Sequence, residues 1–393
     1  MRSIHLALAV LLGAAALSSP AAAHRVELAG RVTASRTVLA QRRVGEPRYV
    51  AISDLFYRGK TAFLEVLDLT TRSVIQVVAR RSLFERRFGG ASGTKLAPLG
   101  EIATYRDGVV GLAIAEAAVG GPRRYWYAEL DAETGKLVRS TELATIRDGE
   151  ELAIIGAEPA GGAAWFAITR RAARGRSLAL YRLDLGAGLG TGPGSLDGSE
   201  VQRIALPPRG GAGREHSVRV HASADFARFA VVEYVEDGTG MAPGQIYIAE
   251  PGTGASFAVP APPAAYGVAF SGDGRYVYVA SAQRGTIARI DIASGKIDKQ
   301  VAGPRFVHHL VIAPGGTKLF ALASSTSYAV YDLPDLRSRA DTTHAPGVLS
   351  AMAELHGNGI ASLDGAFFVA PDVEDPRNTP SDARAYVIAR LIE

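Results

Sequence analysis

Apolar and polar residues alternate over short runs along most of the chain, and Gly, Asp, Asn and Pro break the runs. A period of two marks a strand with one covered face, whereas a helix would repeat its apolar positions every third or fourth residue. One group of such runs is written twice. YGVAFSGDGRYVYVASAQRGTIARIDIASGKIDKQVAG starts at Tyr266, and HLVIAPGGTKLFALASSTSYAVYDLPDLRSRADTTHA follows 43 residues later, from His309. Each copy contains four strand-like segments, and a period of about 40 residues with four short strands is the pattern of a propeller blade.

The third strand of each unit is the easiest to find, because it ends in an acidic residue and a turn. Six such marks occur: EVLDLTT, YAELDAETG, YRLDLGAG, YIAEPGTG, ARIDIASG and AVYDLPDL; the C-terminal AYVIARLIE supplies a seventh strand of the same type. The seventh unit ends where its fourth strand should begin, and Arg25–Val32 is a strand-like segment with no unit of its own. Placing that segment as the outer strand of the last unit removes two exposed sheet edges. The expectation is an all-β chain, a seven-bladed β-propeller over 24–393 closed by its N-terminal strand. Gly186–Ser199, GAGLGTGPGSLDGS, reads as a flexible insertion between the third and fourth strands of blade three.

The motifs SGDGRYVYVAS (Ser271–Ser281) and IDIASGK (Ile290–Lys296), with the weaker PGGTKLFALAS (Pro314–Ser324) and YDL (Tyr331–Leu333), resemble the YVTN/lactonase-like family of seven-bladed propellers. Asp273-Gly274 would form the turn between first and second strands, and Ser294-Gly295-Lys296 the turn between third and fourth. The resemblance implies an architecture shared by binding modules, lyases, lactonases and electron-transfer subunits, and no single activity. Lactonase-type members work with histidine, arginine and glutamate at a channel mouth. The nearest candidates here are Glu215, His216, Arg305 and His309, although adjacent strand residues such as Glu215 and His216 face opposite ways.

Residues 1–23 have the form of a secretory leader: Arg2, an apolar run from Ile4 to Leu17, a Ser-Ser-Pro break and Ala21-Ala22-Ala23 as the cleavage site. No later segment has the 18 or so uncharged apolar residues of a membrane span. A periplasmic or secreted protein is expected. Cysteine is absent, which excludes thiol catalysis, thiolate metal sites and cysteine-attached haem. Of the 43 cationic residues only six are lysine. Basic helices, zinc-finger spacing and RNP-like aromatic strands are missing, so no nucleic-acid partner is indicated.

In a four-strand meander the second-to-third connections share one rim with the links between blades. That rim holds the long connections, where function usually concentrates. Arg80, Arg81, Arg86, Arg87, Arg123, Arg124, Arg170, Arg171, Arg174, Arg176, Arg209 and Arg214 fall on it, and Glu233, Glu236, Asp237, Asp372, Glu374 and Asp375 are placed opposite. Guanidinium forks suit carboxylates and phosphates. The expected role is therefore a non-catalytic scaffold for an anionic small molecule or an acidic protein surface, with no cofactor. A hydrolase or lyase of lactonase type is one alternative. A metalloprotein or electron-transfer subunit with metal on His216, His308, His309 and His344 is another, the four being expected to converge at the channel mouth; His221 and His356 are expected at the opposite end. His24 would become the mature N-terminus. Catalytic signatures are otherwise lacking: there is no G-x-S-x-G, and GGASGTK misses the phosphate-loop spacing by one residue. Trp126 and Trp165 read as core or sheet-surface aromatics.

Overall fold

The computed structural model describes the strands between Arg25 and Ile392 and many of the turns joining them, continuously over 134–158, 215–236, 244–281, 283–305 and 328–338; side chains are described mainly within 109–338. The leader, the Gly186–Ser199 segment, Arg174, Arg209 and Arg214 lie outside the described residues.

The described chain is all β. After strand β1 (Arg25–Thr33), sheet one is formed by β2 (Thr37–Gln41), β3 (Arg48–Ser53), β4 (Thr61–Asp68) and β5 (Ser73–Arg80). Sheet two is β6 (Lys95–Arg106), β7 (Val109–Ala117), β8 (Arg123–Asp131) and β9 (Leu137–Ile146); sheet three is β10 (Glu150–Ala157), β11 (Ala163–Ala172), β12 (Gly175–Asp184) and β13 (Glu200–Leu206). Sheet four is β14 (Glu215–Ala222), β15 (Phe229–Glu236), β16 (Gly244–Glu250) and β17 (Ala255–Ala261); sheet five is β18 (Ala265–Phe270), β19 (Tyr276–Ser281), β20 (Thr286–Asp291) and β21 (Lys296–Ala302). Sheet six is β22 (Val307–Ile312), β23 (Lys318–Ala323), β24 (Tyr328–Asp332) and β25 (Arg337–Ser338). All six are antiparallel meanders, and the six sequence marks are their third strands.

The seventh sheet is built from both ends of the chain. Its order is β26 (Thr343–His344), β1, β29 (Ala385–Ile392), β28 (Phe367–Pro371), β27 (Ile360–Ala361). β1 runs antiparallel to β29 from Arg25↔Ile392 to Thr33↔Ala385, with an irregularity between Leu28 and Gly30. The N-terminal strand thus takes the fourth place in the last meander, as its unpaired pattern suggested. β26 adds a short parallel pairing outside it.

Apolar clusters bridge neighbouring sheets rather than lying within one. Tyr127, Phe166 and Tyr181 share a core between sheets two and three, Trp165, Leu178 and Phe229 between three and four, Val232, Ile248 and Val277 between four and five, and Tyr278, Ile287 and Leu319 between five and six. Burial declines outward. Every residue of the second strand β19 is buried, whereas the fourth strand β21 is mostly exposed. Two covered faces explain why second strands read as continuous apolar runs rather than alternations. The first strands of sheets one to six lie against one another in succession, and β27 lies against β2.

Turn chemistry sets the meander. In the third-to-fourth turns the Asp291 carboxylate accepts the Ser294 N–H at 2.9 Å and its carbonyl accepts the Gly295 N–H at 2.9 Å; Asp131 does the same for Thr134 and Gly135, at 2.6 and 2.8 Å. Gly135 and Gly295 both have φ of +64°, a left-handed conformation that glycine adopts without strain. This is why four of the six marks end in an acid and a glycine; EVLDLTT and AVYDLPDL keep the acid without the glycine.

Arginines then tie one sheet to the next. Arg139 forks onto Glu129 (2.5 and 2.8 Å) and donates to the Leu185 carbonyl of sheet three at 2.9 Å. Arg228 binds Glu250 at 2.6 Å and the Gly274 carbonyl of sheet five at 2.8 Å. Arg289 forks onto Asp298 (2.8 and 2.9 Å) and reaches the Pro334 carbonyl of sheet six at 2.7 Å. In each case a carboxylate of the arginine's own sheet holds the guanidinium, and a free N–H caps a turn carbonyl next door.

Candidate functional site

The expected arginine rim divides into engaged and open groups. Arg123 and Arg124 are the first two residues of β8 rather than loop residues, and both are exposed with no ion pair among the described residues. Arg305, in the link between β21 and β22, is also exposed. Arg170 and Arg171 lie in β11 and Arg176 in β12, with Ala172↔Gly175 closing a tight hairpin, so the long connection expected at 170–176 is mostly strand. Arg170 pairs with Glu150 at 2.9 Å. Arg176 is 5% exposed and pairs with Glu233 of sheet four. Glu233 is therefore no opposing acidic patch. It neutralises a buried arginine between sheets three and four, and neither partner is available to a ligand. The side chain of Arg171 lies outside the described residues.

The histidines also redistribute. His216 and His308 sit near the starts of the first strands β14 and β22, their side chains outside the described residues. His344 belongs to β26, beyond β1 at the outer edge of sheet seven, because Val26 pairs with His344. Among the described residues no group of three metal-ligating side chains occurs. His221 interacts electrostatically with His309.

That interaction belongs to a compact constellation on three consecutive first strands. β14 carries Arg219 and His221 two residues apart, hence on one face; β18 carries Tyr266 and β22 carries His309. The Arg219 guanidinium carbon lies 4.0 Å from the centre of the Tyr266 ring, a cation–π contact. The Tyr266 backbone accepts a hydrogen bond from the His221 ring. His221 Nε2 is cut off from solvent and has no partner among the described residues, so the bond uses Nδ1–H and Nε2 keeps a bare lone pair. Burial first, then the neighbouring Arg219 and His309, lower the His221 pKa to about 4 against the opposing Tyr266 bond. At neutral pH the ring is uncharged, and Arg219 supplies the fixed positive charge.

A cavity of about 690 Å³ opens at the opposite rim, between the turns of sheets four and five, lined by Arg228, Phe257, Asp273, Arg275, Ile292 and Ser294. Its cations are committed: Arg228 to Glu250 and Gly274, Arg275 to Asp291 at 3.4 Å. Asp273 serves the turn, accepting from Ser271 Oγ at 2.6 Å and from the Arg275 N–H at 3.0 Å, which holds its carboxyl below the ordinary range. The same arrangement recurs at Ser223 and Asp225 (2.6 Å), a repeat of the Ser-x-Asp turn legible in SADFAR but not singled out. Trp126 and Trp165 are sheet aromatics as expected, donating Nε1–H to Glu116 and Glu158 at 2.9 and 2.8 Å. Of the lactonase-type candidates, Glu215 and His216 occupy adjacent positions on β14, His309 lies on β22, and Arg305 is exposed before it.

The chain matches no protein-family model, and no curated protein matches it significantly.

Proposed function

We propose that this chain is an exported seven-bladed β-propeller that binds an anionic ligand or an acidic protein surface without catalysing a reaction. Export is supported by the leader pattern of residues 1–23. Closure into a ring is supported by the seventh sheet, which joins β1 to β29, and by the first strands lying side by side. The resemblance of Ser271–Ser281 and Ile290–Lys296 to YVTN/lactonase-like propellers points the same way.

One observation carries the binding reading. Arginines that stitch sheets together are neutralised by a carboxylate, whereas Arg123, Arg124 and Arg305 are exposed with no acidic partner among the described residues. Two uncompensated guanidinium groups at the start of one strand, one on each face, raise a positive potential there that an anion would neutralise. Poly-L-glutamate is the direct probe. Binding at low salt should weaken at least tenfold in the Arg123→Glu/Arg124→Glu variant and weaken in the wild type as salt is raised. Equal binding by wild type and variant would overturn the reading.

A further inference from the structure

We propose that the outer edge of β17 is a docking site for an extended, uncharged peptide segment of another protein, one large apolar side chain of which enters the cavity between sheets four and five. The site shares no residue with the arginine reading above, so each can fail without the other.

β17, ASFAVPA, pairs with β16 alone, which leaves its other edge without a strand among the described residues. Outer edges are ordinarily guarded by charged side chains, which deter pairing with a further strand. The fourth strands β9 and β13 carry two charged residues each, β21 and β1 three each, and β5 and β25 one each. β17 carries none. Its one guard is Pro260, and that residue identifies which backbone groups are free. Proline has no N–H to give β16, so its position faces away from that strand. Ladder groups alternate along a strand, so Ala258 and Ser256 also turn their N–H and C=O outward. All three residues are exposed, and among the described residues no hydrogen bond reaches the Ser256 or Ala258 backbone from outside the sheet. Two donors, on Ser256 and Ala258, and three acceptors, with Pro260, stand at the spacing that another strand matches.

The cavity beside this edge supplies the choice of side chain. Its volume is about 690 Å³, and Phe257, Ala258, Ile292 and Ala293 give it an apolar lining. The arginines around it are matched within the protein: Arg228 by Glu250, and Arg275 by Asp291 and by the Tyr276 ring, whose centre lies 4.8 Å from its guanidinium carbon. Phe257 is half-buried and packs on the core between sheets four and five. In an added strand, the residue opposite Phe257 projects its side chain from the same face, at about 4.5–5.5 Å between Cβ atoms. A large apolar side chain there is withdrawn from water against Phe257 and Ile292. Main-chain bonds thus supply affinity and the cavity supplies selectivity, the two parts of recognition by strand addition. Neither part calls for charge, which sets this surface apart from the Arg123 and Arg124 end of β8.

The probe is the uncharged peptide acetyl-TTVFVTT-amide with a terminal dye, followed by fluorescence anisotropy against the purified chain. Replacing its phenylalanine by alanine should weaken binding at least tenfold. N-methylation of one alternate set of its amides should do the same, and N-methylation of the other set should not. Ala258→Lys should weaken binding at least tenfold with melting unchanged, while Arg123→Glu/Arg124→Glu should leave binding unaltered. In the wild type, exchange of the Ser256 and Ala258 amide hydrogens should slow at least tenfold with the peptide present. No binding at millimolar peptide, binding indifferent to the phenylalanine or to the methylation pattern, or exchange at Ser256 and Ala258 unmoved by the bound peptide would each overturn the site. The exchange measurement needs no variant, so a misfolded Ala258→Lys does not protect the proposal. Sedimentation of the protein alone tests the other occupant. A dimer that Ala258→Lys dissociates would assign the edge to a second copy of this chain and overturn the peptide reading.

Discussion

Arg289 and Arg219 belong to neighbouring sheets, and the same side chain serves opposite ends in them. Arg289 is nearly covered, forked onto Asp298 and bonded to the Pro334 carbonyl of the next sheet. Arg219 is exposed and rests on the face of Tyr266 with no acid beside it among the described residues. Toward the outer strands and turns, a charge is spent on joining sheets whose turn carbonyls lack partners. On the first strand β14 the Arg219 charge meets a ring instead of an acid. Arginine number therefore says little about function in this chain; the presence or absence of a carboxylate within reach says more.

The sharpest way to break this contrast is at Arg176. Arg176→Ala leaves Glu233 charged and partly buried between sheets three and four, and loses about 3–5 kcal/mol of stability at neutral pH, read by urea denaturation. The double variant Arg176→Met/Glu233→Leu removes both charges and recovers most of that loss. If the single and double variants unfold alike, the pair is not acting as a buried ion pair.

His221 gives the next effect. Its pKa is near 4 in the folded chain, against about 6.5 when unfolded, so the unfolded state binds the proton more readily. Stability is full above pH 6.5, falls as pH drops toward 4, and then flattens, with a total of roughly 3 kcal/mol at most. His221→Leu flattens that part of the profile, which melting curves between pH 4 and 8 measure.

The stitches follow. Arg289→Ala removes hydrogen bonds from Asp298 and the Pro334 carbonyl, at about 1.5–3 kcal/mol. Gly274→Ala loosens the corresponding Arg228 contact from the other side: a Cβ there would overlap Arg228 Nη1, and the residue has φ of +68°. Smallest of all, Arg170→Ala removes a largely exposed pair with Glu150 and shifts stability by less than about 1 kcal/mol. Charge reversal at Arg123 and Arg124 leaves melting unchanged within about 0.5 kcal/mol while weakening poly-L-glutamate binding at least tenfold.

Much of the fold was legible in the sequence. The acidic ends of the third strands, followed by a glycine in four of the six, are local chemistry, in which an aspartate accepts turn N–H groups and a glycine takes positive φ, and all six marks lie on third strands. The unpaired Arg25–Val32 pattern disclosed a missing partner, and β29 supplied it. The candidate site was far less legible. Arg176 and Glu233 are 57 positions apart, so nothing in the sequence near 176 shows that its charge is already matched. His344 was placed by a pairing with β1 that crosses most of the chain. His221 and His309 come from sheets that are not neighbours in sequence.

The sequence by itself determined the strand pattern, the number of units and the turn residues, because these depend on alternation and on contacts within a few residues. Only the tertiary structure decided which arginines are neutralised and which imidazole nitrogen is shut off from solvent. Charge compensation and desolvation depend on distances between sheets, and no periodicity along the chain records them.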